Sequence, residues 1–135
     1  MTSLSVRNAV IVIAIMCSPG ETVLAQGTVS APLPAGVTAD MITRGKTIFH
    51  GAGVCFACHG MNGAGMTGPS LADTVWVHNR GEYDKIVQLI MTGVDARASK
   101  SGVVMPPKGG SAINDADLRA VAAYVWSLSR SQPAP

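Results

Sequence analysis

Apolar residues recur at intervals of three and four in three segments of the chain, which is the spacing of an amphipathic helix. The first segment runs from about Ala39 to His50, the second from about Glu82 to Thr92, and the third from Asn114 to Ser129. Thr38 and Asn114 lie where an N-cap side chain accepts hydrogen bonds from unpaired backbone N–H groups. Because no stretch shows the sustained alternation of a strand, the pattern predicts an all-α domain of three or more helices.

Two long segments rich in glycine and proline separate these helices. They run from His59 to Trp76 and from Val94 to Ile113. Loops of this length within a compact domain are usually functional or disordered. We therefore expect the chemistry of the protein to lie in or beside them.

The first 25 residues resemble a targeting segment. Arg7 precedes a short apolar run from Ala9 to Met16, and Val23-Leu24-Ala25 offers small residues for cleavage before Gln26. The run is shorter than the roughly 18 residues that a spanning helix needs. We expect a signal peptide over residues 1–25 and export to the periplasm, with no membrane span after cleavage. An uncleaved membrane anchor is the alternative, and lipidation at Cys17 is disfavoured by bulky Met16.

The rest of the chain divides into three parts. We predict a flexible linker over residues 26–36, one domain over residues 37–130 and a disordered tail over residues 131–135. The chain is 47% apolar, which argues against intrinsic disorder, but only 4% aromatic and 13% charged. Its formal net charge of +2 is too weak for a nucleic-acid footprint. The composition leaves open how a core with so few large rings becomes stable.

Most of the functional information lies in Cys55-Phe56-Ala57-Cys58-His59, which has the C-x-x-C-H spacing of a haem attachment motif. Two thiols separated by two residues can each form a thioether with one of the two vinyl groups on a porphyrin edge. The histidine that follows directly is then carried beneath the ring, where its imidazole can bind the iron. Attachment of this kind occurs on exported proteins, in agreement with the signal peptide.

Three other interpretations of the cysteine pair remain. A redox dithiol fits a βαβ context, which the helical pattern does not offer. A zinc site needs further ligands, for which only His50 and His78 are available. The third alternative is a disulfide between Cys55 and Cys58.

The domain resembles a class I c-type cytochrome of the small bacterial monohaem kind over about Thr38 to Leu128. The resemblance rests on motifs that occur in the order of the family. They are the helix from Gly45 to Phe49 that leads into the cysteine motif, Gly68-Pro69-Ser70-Leu71, Val104-Met105-Pro106-Pro107, and the last helix ending Ala123-Tyr124-Val125-Trp126-Ser127-Leu128.

This resemblance implies the cytochrome c fold, with long loops around one covalently bound haem c. It also implies that His59 and Met105 are the two iron ligands, although a distal group other than Met105, or an open site, remains the alternative. Pro69 is expected to accept a hydrogen bond from the His59 imidazole through its carbonyl. Trp76 and Arg97 are candidate donors to the haem propionates.

We expect an electron carrier and not an enzyme in itself, shuttling single electrons between redox partners in the periplasm. A respiratory complex, a terminal oxidase or a periplasmic dehydrogenase would be such a partner, and the chain would be a monomer or a subunit. The alternatives are a dedicated cytochrome subunit of a dehydrogenase or oxidase complex, and a ligand-binding or peroxidatic haem protein with a displaceable distal site. Gly45 is expected to allow close contact between the first and last helices.

Overall fold

A computed structural model describes residues 32–131 of the chain. Its helices are α1 (Ala39–His50), α2 (Phe56–His59), α3 (Tyr83–Thr92) and α4 (Asp115–Leu128), and a 3₁₀ turn spans Pro107–Gly110. Within the described residues the sole β-type pairing is an isolated bridge between Val94 and Met105. The all-α prediction is confirmed, and so are the three helices that the apolar periodicity indicated.

Side-chain caps begin the two longest helices. The Thr38 hydroxyl accepts a hydrogen bond from the Met41 N–H at 3.2 Å, and the side-chain Oδ1 of Asn114 accepts one from the Asp117 N–H at 2.9 Å. Both caps satisfy donors that have no partner inside the first turn. The predicted N-caps are thus confirmed, and they fix where α1 and α4 begin.

The closest contact between helices joins α1 and α4 at Gly45. A Cβ on Gly45 would overlap the Ala120 carbonyl and would lie 2.9 Å from the Tyr124 Cβ. One turn later, fully buried Phe49 packs edge-to-face on Tyr124, with 5.3 Å between ring centroids. The expected close contact at Gly45 is confirmed, since any side chain there would push the two helices apart.

Helix α4 is buried on nearly all sides, and every residue from position 120 to position 127 is buried. It packs against α1 and α3, and Val121 and Val125 also form part of the wall of a large cavity. The fold therefore places its central helix between two other helices and a cavity.

Among the helices of residues 32–131, none has the length and apolar character of a membrane-spanning segment.

The predicted outer segments lie mostly outside the residues that the structure describes. The signal peptide of residues 1–25, the first part of the linker and all but the first residue of the tail fall there. Val37, at the predicted start of the domain, is buried and donates its N–H to the Pro34 carbonyl at 3.0 Å. The boundaries of the domain stay predictions.

We predict that Gly45→Leu lowers the free energy of unfolding by at least about 2 kcal/mol, because overpacking at a tight helix contact is destabilising. Lys46→Leu, on the exposed side of the same helix, is the control and should stay within about 0.5 kcal/mol of the parent protein. Guanidinium titration measures both. Equal stability of Gly45→Leu and the parent would contradict the close contact.

Candidate functional site

A single helical turn brings the three residues of the cysteine motif onto one face. The His59 N–H donates to the Cys55 carbonyl at 3.0 Å, and the Gly60 N–H donates to the Phe56 carbonyl at 2.8 Å. Residues three and four apart in a helix share a face, so Cys55, Cys58 and His59 point to the same side. All three line the cavity that α4 borders. The predicted motif is therefore one compact group at one wall.

The two thiols have different surroundings. Cys55 is partly buried, and this burial raises the pKa of its thiol to about 11, while Cys58 is exposed. The Cys55 Sγ also donates to the Gly53 carbonyl at 3.4 Å. No disulfide joins Cys55 to Cys58, and no group of three or more His, Cys, Asp or Glu side chains within residues 32–131 is arranged to hold a metal ion. The disulfide and zinc alternatives thus receive no support from the described structure.

A hydrogen bond fixes the orientation of the His59 imidazole. His59 Nδ1 lies 2.8 Å from the Pro69 carbonyl oxygen, and because a carbonyl can only accept, Nδ1 is the nitrogen that carries the proton. Nε2 is then left with a free lone pair, as a metal ligand requires. A Cβ on Gly68 would lie 2.9 Å from the imidazole Cε1, so glycine at that position leaves room for the ring.

The loop that follows α2 is held under His59 by its own backbone. The Gly65 N–H donates to the His59 carbonyl at 2.8 Å, and the Gly68 N–H donates to the Cys58 carbonyl at 2.9 Å. These bonds return the chain to the motif and deliver Pro69 to the imidazole. The glycine-rich loop therefore folds back so that the Pro69 carbonyl reaches the imidazole.

Met105 belongs to a different wall of the same cavity, formed by the loop that follows α3. Its N–H donates to the Val94 carbonyl at 2.9 Å, and its carbonyl accepts from the Val94 N–H at 2.7 Å. Gly93 has φ +72°, and a Cβ there would overlap the Met105 carbonyl. The left-handed glycine at the end of α3 thus permits the pairing that places Met105.

The cavity has a volume of about 1120 Å³, which includes space open to solvent. Aliphatic and aromatic side chains from α1, α3, α4 and both long loops make up most of its wall. They are Phe49, Leu71, Val75, Trp76, Val77, Ile86, Leu89, Ile90, Val94, Val103, Val104, Val121 and Val125.

The chemistry of this cavity fits a haem. Two thiols and an imidazole with a free Nε2 lie at one wall, a thioether lies at another, and the lining between them is apolar. Such a lining suits a large flat hydrophobic group. The two thiols are the groups through which a haem is attached covalently.

The two predicted propionate donors differ in their placement. Trp76 is half-buried and lines the cavity, and a Cβ on Gly81 would overlap its indole. Arg97 is exposed, lies in a turn whose backbone is held by the Asp95 carboxylate at 2.8 Å, and is not among the lining residues. The structure gives the assignment of Arg97 no support, because being near the loop in sequence does not bring its side chain to the cavity.

Several polar residues of the wall were not predicted from the sequence. They are His78, Asn79, Ser99, Ser101 and Lys108. Lys108 also adopts a left-handed backbone, with φ 55°, a conformation that costs a non-glycine residue roughly 1–2 kcal/mol. The sequence signal for a turn at Lys108 was its position between two prolines and two glycines, since such runs mark turns with unusual dihedral angles.

Comparison with known proteins supports the same conclusion. The family model for Cytochrome c matches residues 42–129. The chain is 37% identical over 86 residues to a Cbb3-type cytochrome c oxidase subunit CcoP of Rubrivivax gelatinosus, covering 63% of this chain and 25% of the relative. It is 33% identical over 99 residues to the CcoP subunit of Rhodobacter capsulatus, covering 67% and 30%.

The chain thus spans between a quarter and a third of the length of these relatives. No solved structure matches the chain. The family match covers most of the described residues and includes both walls of the cavity, from the cysteine motif to Met105. The chain therefore belongs to the cytochrome c family and is an electron-transfer protein with haem c bound covalently through Cys55 and Cys58.

Proposed function

We propose that the chain is a periplasmic carrier that passes single electrons between redox proteins, with His59 Nε2 and Met105 Sδ as the two axial ligands of its haem. The observation that carries this proposal is the presence of both side chains on the lining of one apolar cavity, each with its backbone fixed by hydrogen bonds. A centre with both axial positions filled suits electron transfer, whereas substrate activation needs an open position.

The bound haem supplies a one-electron couple, and the residues of the chain set its properties. His59 is oriented by the Pro69 carbonyl, which makes the imidazole a more basic ligand. The soft thioether of Met105 favours the reduced state and raises the reduction potential. Because the same two ligands serve both oxidation states, electron transfer requires little rearrangement.

The apolar lining and the polar residues at the cavity have separate tasks. Side chains such as Val121, Val125 and Ile90 line the cavity and would exclude water from a haem bound there, which would tune its reduction potential. Trp76 lines the cavity with an indole N–H that can donate to a propionate. With a formal net charge of +2 before the propionates are counted, long-range steering of partners should be modest.

A second candidate is a subunit of an oxidase complex, favoured by the similarity to the CcoP oxidase subunits. Under this proposal the chain receives electrons within a complex and passes them to an oxidase, instead of diffusing between partners. The predicted signal segment of residues 1–25 would then act as an uncleaved membrane anchor.

Purification of the exported protein from its native source separates the two candidates. For a free carrier we expect the haem protein in the soluble periplasmic fraction, cleaved before Gln26 and eluting at the size of one chain. Mass spectrometry of the N-terminus and size-exclusion chromatography measure this. Recovery from detergent-solubilised membranes in fixed ratio with oxidase subunits would establish the second candidate instead.

We predict that Met105→Ala abolishes the weak long-wavelength band by which oxidised cytochromes report a methionine–iron bond, and lets the reduced protein bind carbon monoxide at neutral pH. Met105→His should keep both positions filled and lower the reduction potential by on the order of 0.1 V or more, since axial ligands span about 0.8 V.

Met66→Ala is the matched control for Met105→Ala, because Met66 is 71% exposed and does not line the cavity. It should leave the band, the potential and the carbon monoxide test unchanged. Carbon monoxide binding by the parent protein itself would refute the carrier proposal and support a ligand-binding or peroxidatic haem protein.

We also predict that folding depends on haem attachment. The double variant Cys55→Ala/Cys58→Ala, exported without haem, should show no cooperative thermal transition, because its apolar cavity of about 1120 Å³ would be open to water. Circular dichroism at increasing temperature measures this. A sharp transition in the haem-free protein would contradict the prediction.

A further inference from the structure

We propose that Lys108 is a positioning residue for Met105, fastening the downstream end of the Met105 segment to the start of α4. The inference rests on the proposed binding of Met105 to the haem iron, and it concerns what keeps that side chain in place. Lys108 lies three residues after Met105 and lines the same cavity.

The two ends of the Met105 segment are held in different ways. Upstream, Met105 itself exchanges two backbone hydrogen bonds with Val94. Downstream come Pro106 and Pro107, neither of which has a backbone N–H to donate. The first backbone donors after Met105 therefore belong to Lys108 and Gly109, and the Gly109 N–H reaches back only to the Pro106 carbonyl at 2.9 Å. Backbone bonds thus close the turn on itself without attaching it to the rest of the fold.

The Lys108 side chain supplies that attachment. Its Nζ donates to the Ile113 carbonyl at 2.9 Å and to the Asp115 Oδ1 at 3.0 Å. Ile113 is buried and directly precedes the N-cap Asn114, while Asp115 is the first residue of α4. The ammonium group therefore joins the turn that follows Met105 to the fixed start of the central helix.

The backbone at Lys108 supports the same role. With φ 55° and ψ 24° it adopts the left-handed conformation, as do Gly109 and Gly110 after it. A glycine at position 108 would adopt these angles without strain. Strain of this kind persists where the surrounding structure over-determines it, and here the two bonds from Nζ hold the residue in place.

The two acceptors differ in how strongly they should hold the amino group. The Asp115 side chain is 75% exposed, so its ion pair with Lys108 is screened by solvent. The Lys108 side chain is 28% exposed, and its bond to the Ile113 carbonyl is partly buried. The neutral acceptor should therefore be the more important of the two.

Loss of this attachment should let Met105 leave the iron more often. An external ligand that competes for the same position then binds more tightly, in proportion to the fraction of molecules in which the position is open. Imidazole added to the oxidised protein is a suitable probe, and the change in absorption on binding gives its affinity directly.

We expect Lys108→Met to bind imidazole at least about tenfold more tightly than the parent protein, a change of about 1.4 kcal/mol. Asp115→Asn should have a smaller effect because it leaves the Ile113 bond intact. Lys108→Arg should restore most of the parent affinity, since its guanidinium can donate to the same carbonyl. Lys100→Met, which removes the same charge at an exposed position outside the cavity lining, is the control and should match the parent.

Guanidinium unfolding of the same variants separates a local role from general loosening. A tenfold gain in imidazole affinity with an unchanged unfolding midpoint supports the inference. An imidazole affinity of Lys108→Met equal to that of the parent overturns the inference. So does a gain in the free energy of imidazole binding that only equals the loss in the free energy of unfolding. Met105→Ala tests the ligation proposal separately. If this variant binds imidazole no more tightly than the parent, the proposal that Met105 binds the iron has failed. If it binds imidazole more tightly, a negative result for Lys108→Met counts against the role of Lys108 alone.

Discussion

The structure depends on the burial of one large flat group in a cavity that the chain cannot fill with its own side chains. The cavity has a volume of about 1120 Å³, part of it open to solvent, in a protein with only two phenylalanines, two tyrosines and two tryptophans. Interiors of proteins are packed as densely as organic crystals, so such a space must be occupied for the surrounding helices to keep their positions. The low aromatic content noted in the sequence is explained by a haem that supplies the missing hydrophobic bulk.

The position of α4 follows from this constraint. One side of the helix approaches α1 closely at Gly45, and Val121 and Val125 on the same helix face the cavity. A helix with apolar surroundings on both sides is buried nearly all round, which is why its small residues are as fully enclosed as its large ones. The contact at Gly45 and the haem cavity therefore both determine the position of α4, and a change at one of them should alter the packing at the other.

Local features of the fold could be predicted from the sequence, and so could the long-range contact of α1 with α4 at Gly45, but the contacts between the loops could not. The geometry of Cys55 and His59 is set within one helical turn, and the caps at Thr38 and Asn114 act within three residues. By contrast, the pairing of Met105 with Val94 joins two loop residues that show no strand periodicity. Motif spacing therefore identifies the candidate haem-binding residues, but only the folded loops reveal which contacts hold them in place.

Of the two proposed iron ligands, His59 is held in position more firmly than Met105. His59 follows the second cysteine directly and is oriented by the Pro69 carbonyl, so the covalent attachment and the hydrogen bond act on adjacent parts of one turn. Met105 offers a weak thioether from a loop, and its backbone bonds to Val94, while the turn that follows it is joined to the start of α4 by the Lys108 side chain. Any perturbation of the site should therefore reach the sulfur–iron bond before the nitrogen–iron bond. Under the proposed ligation, the reduction potential depends on that thioether and therefore on loop contacts some distance from the cysteine motif.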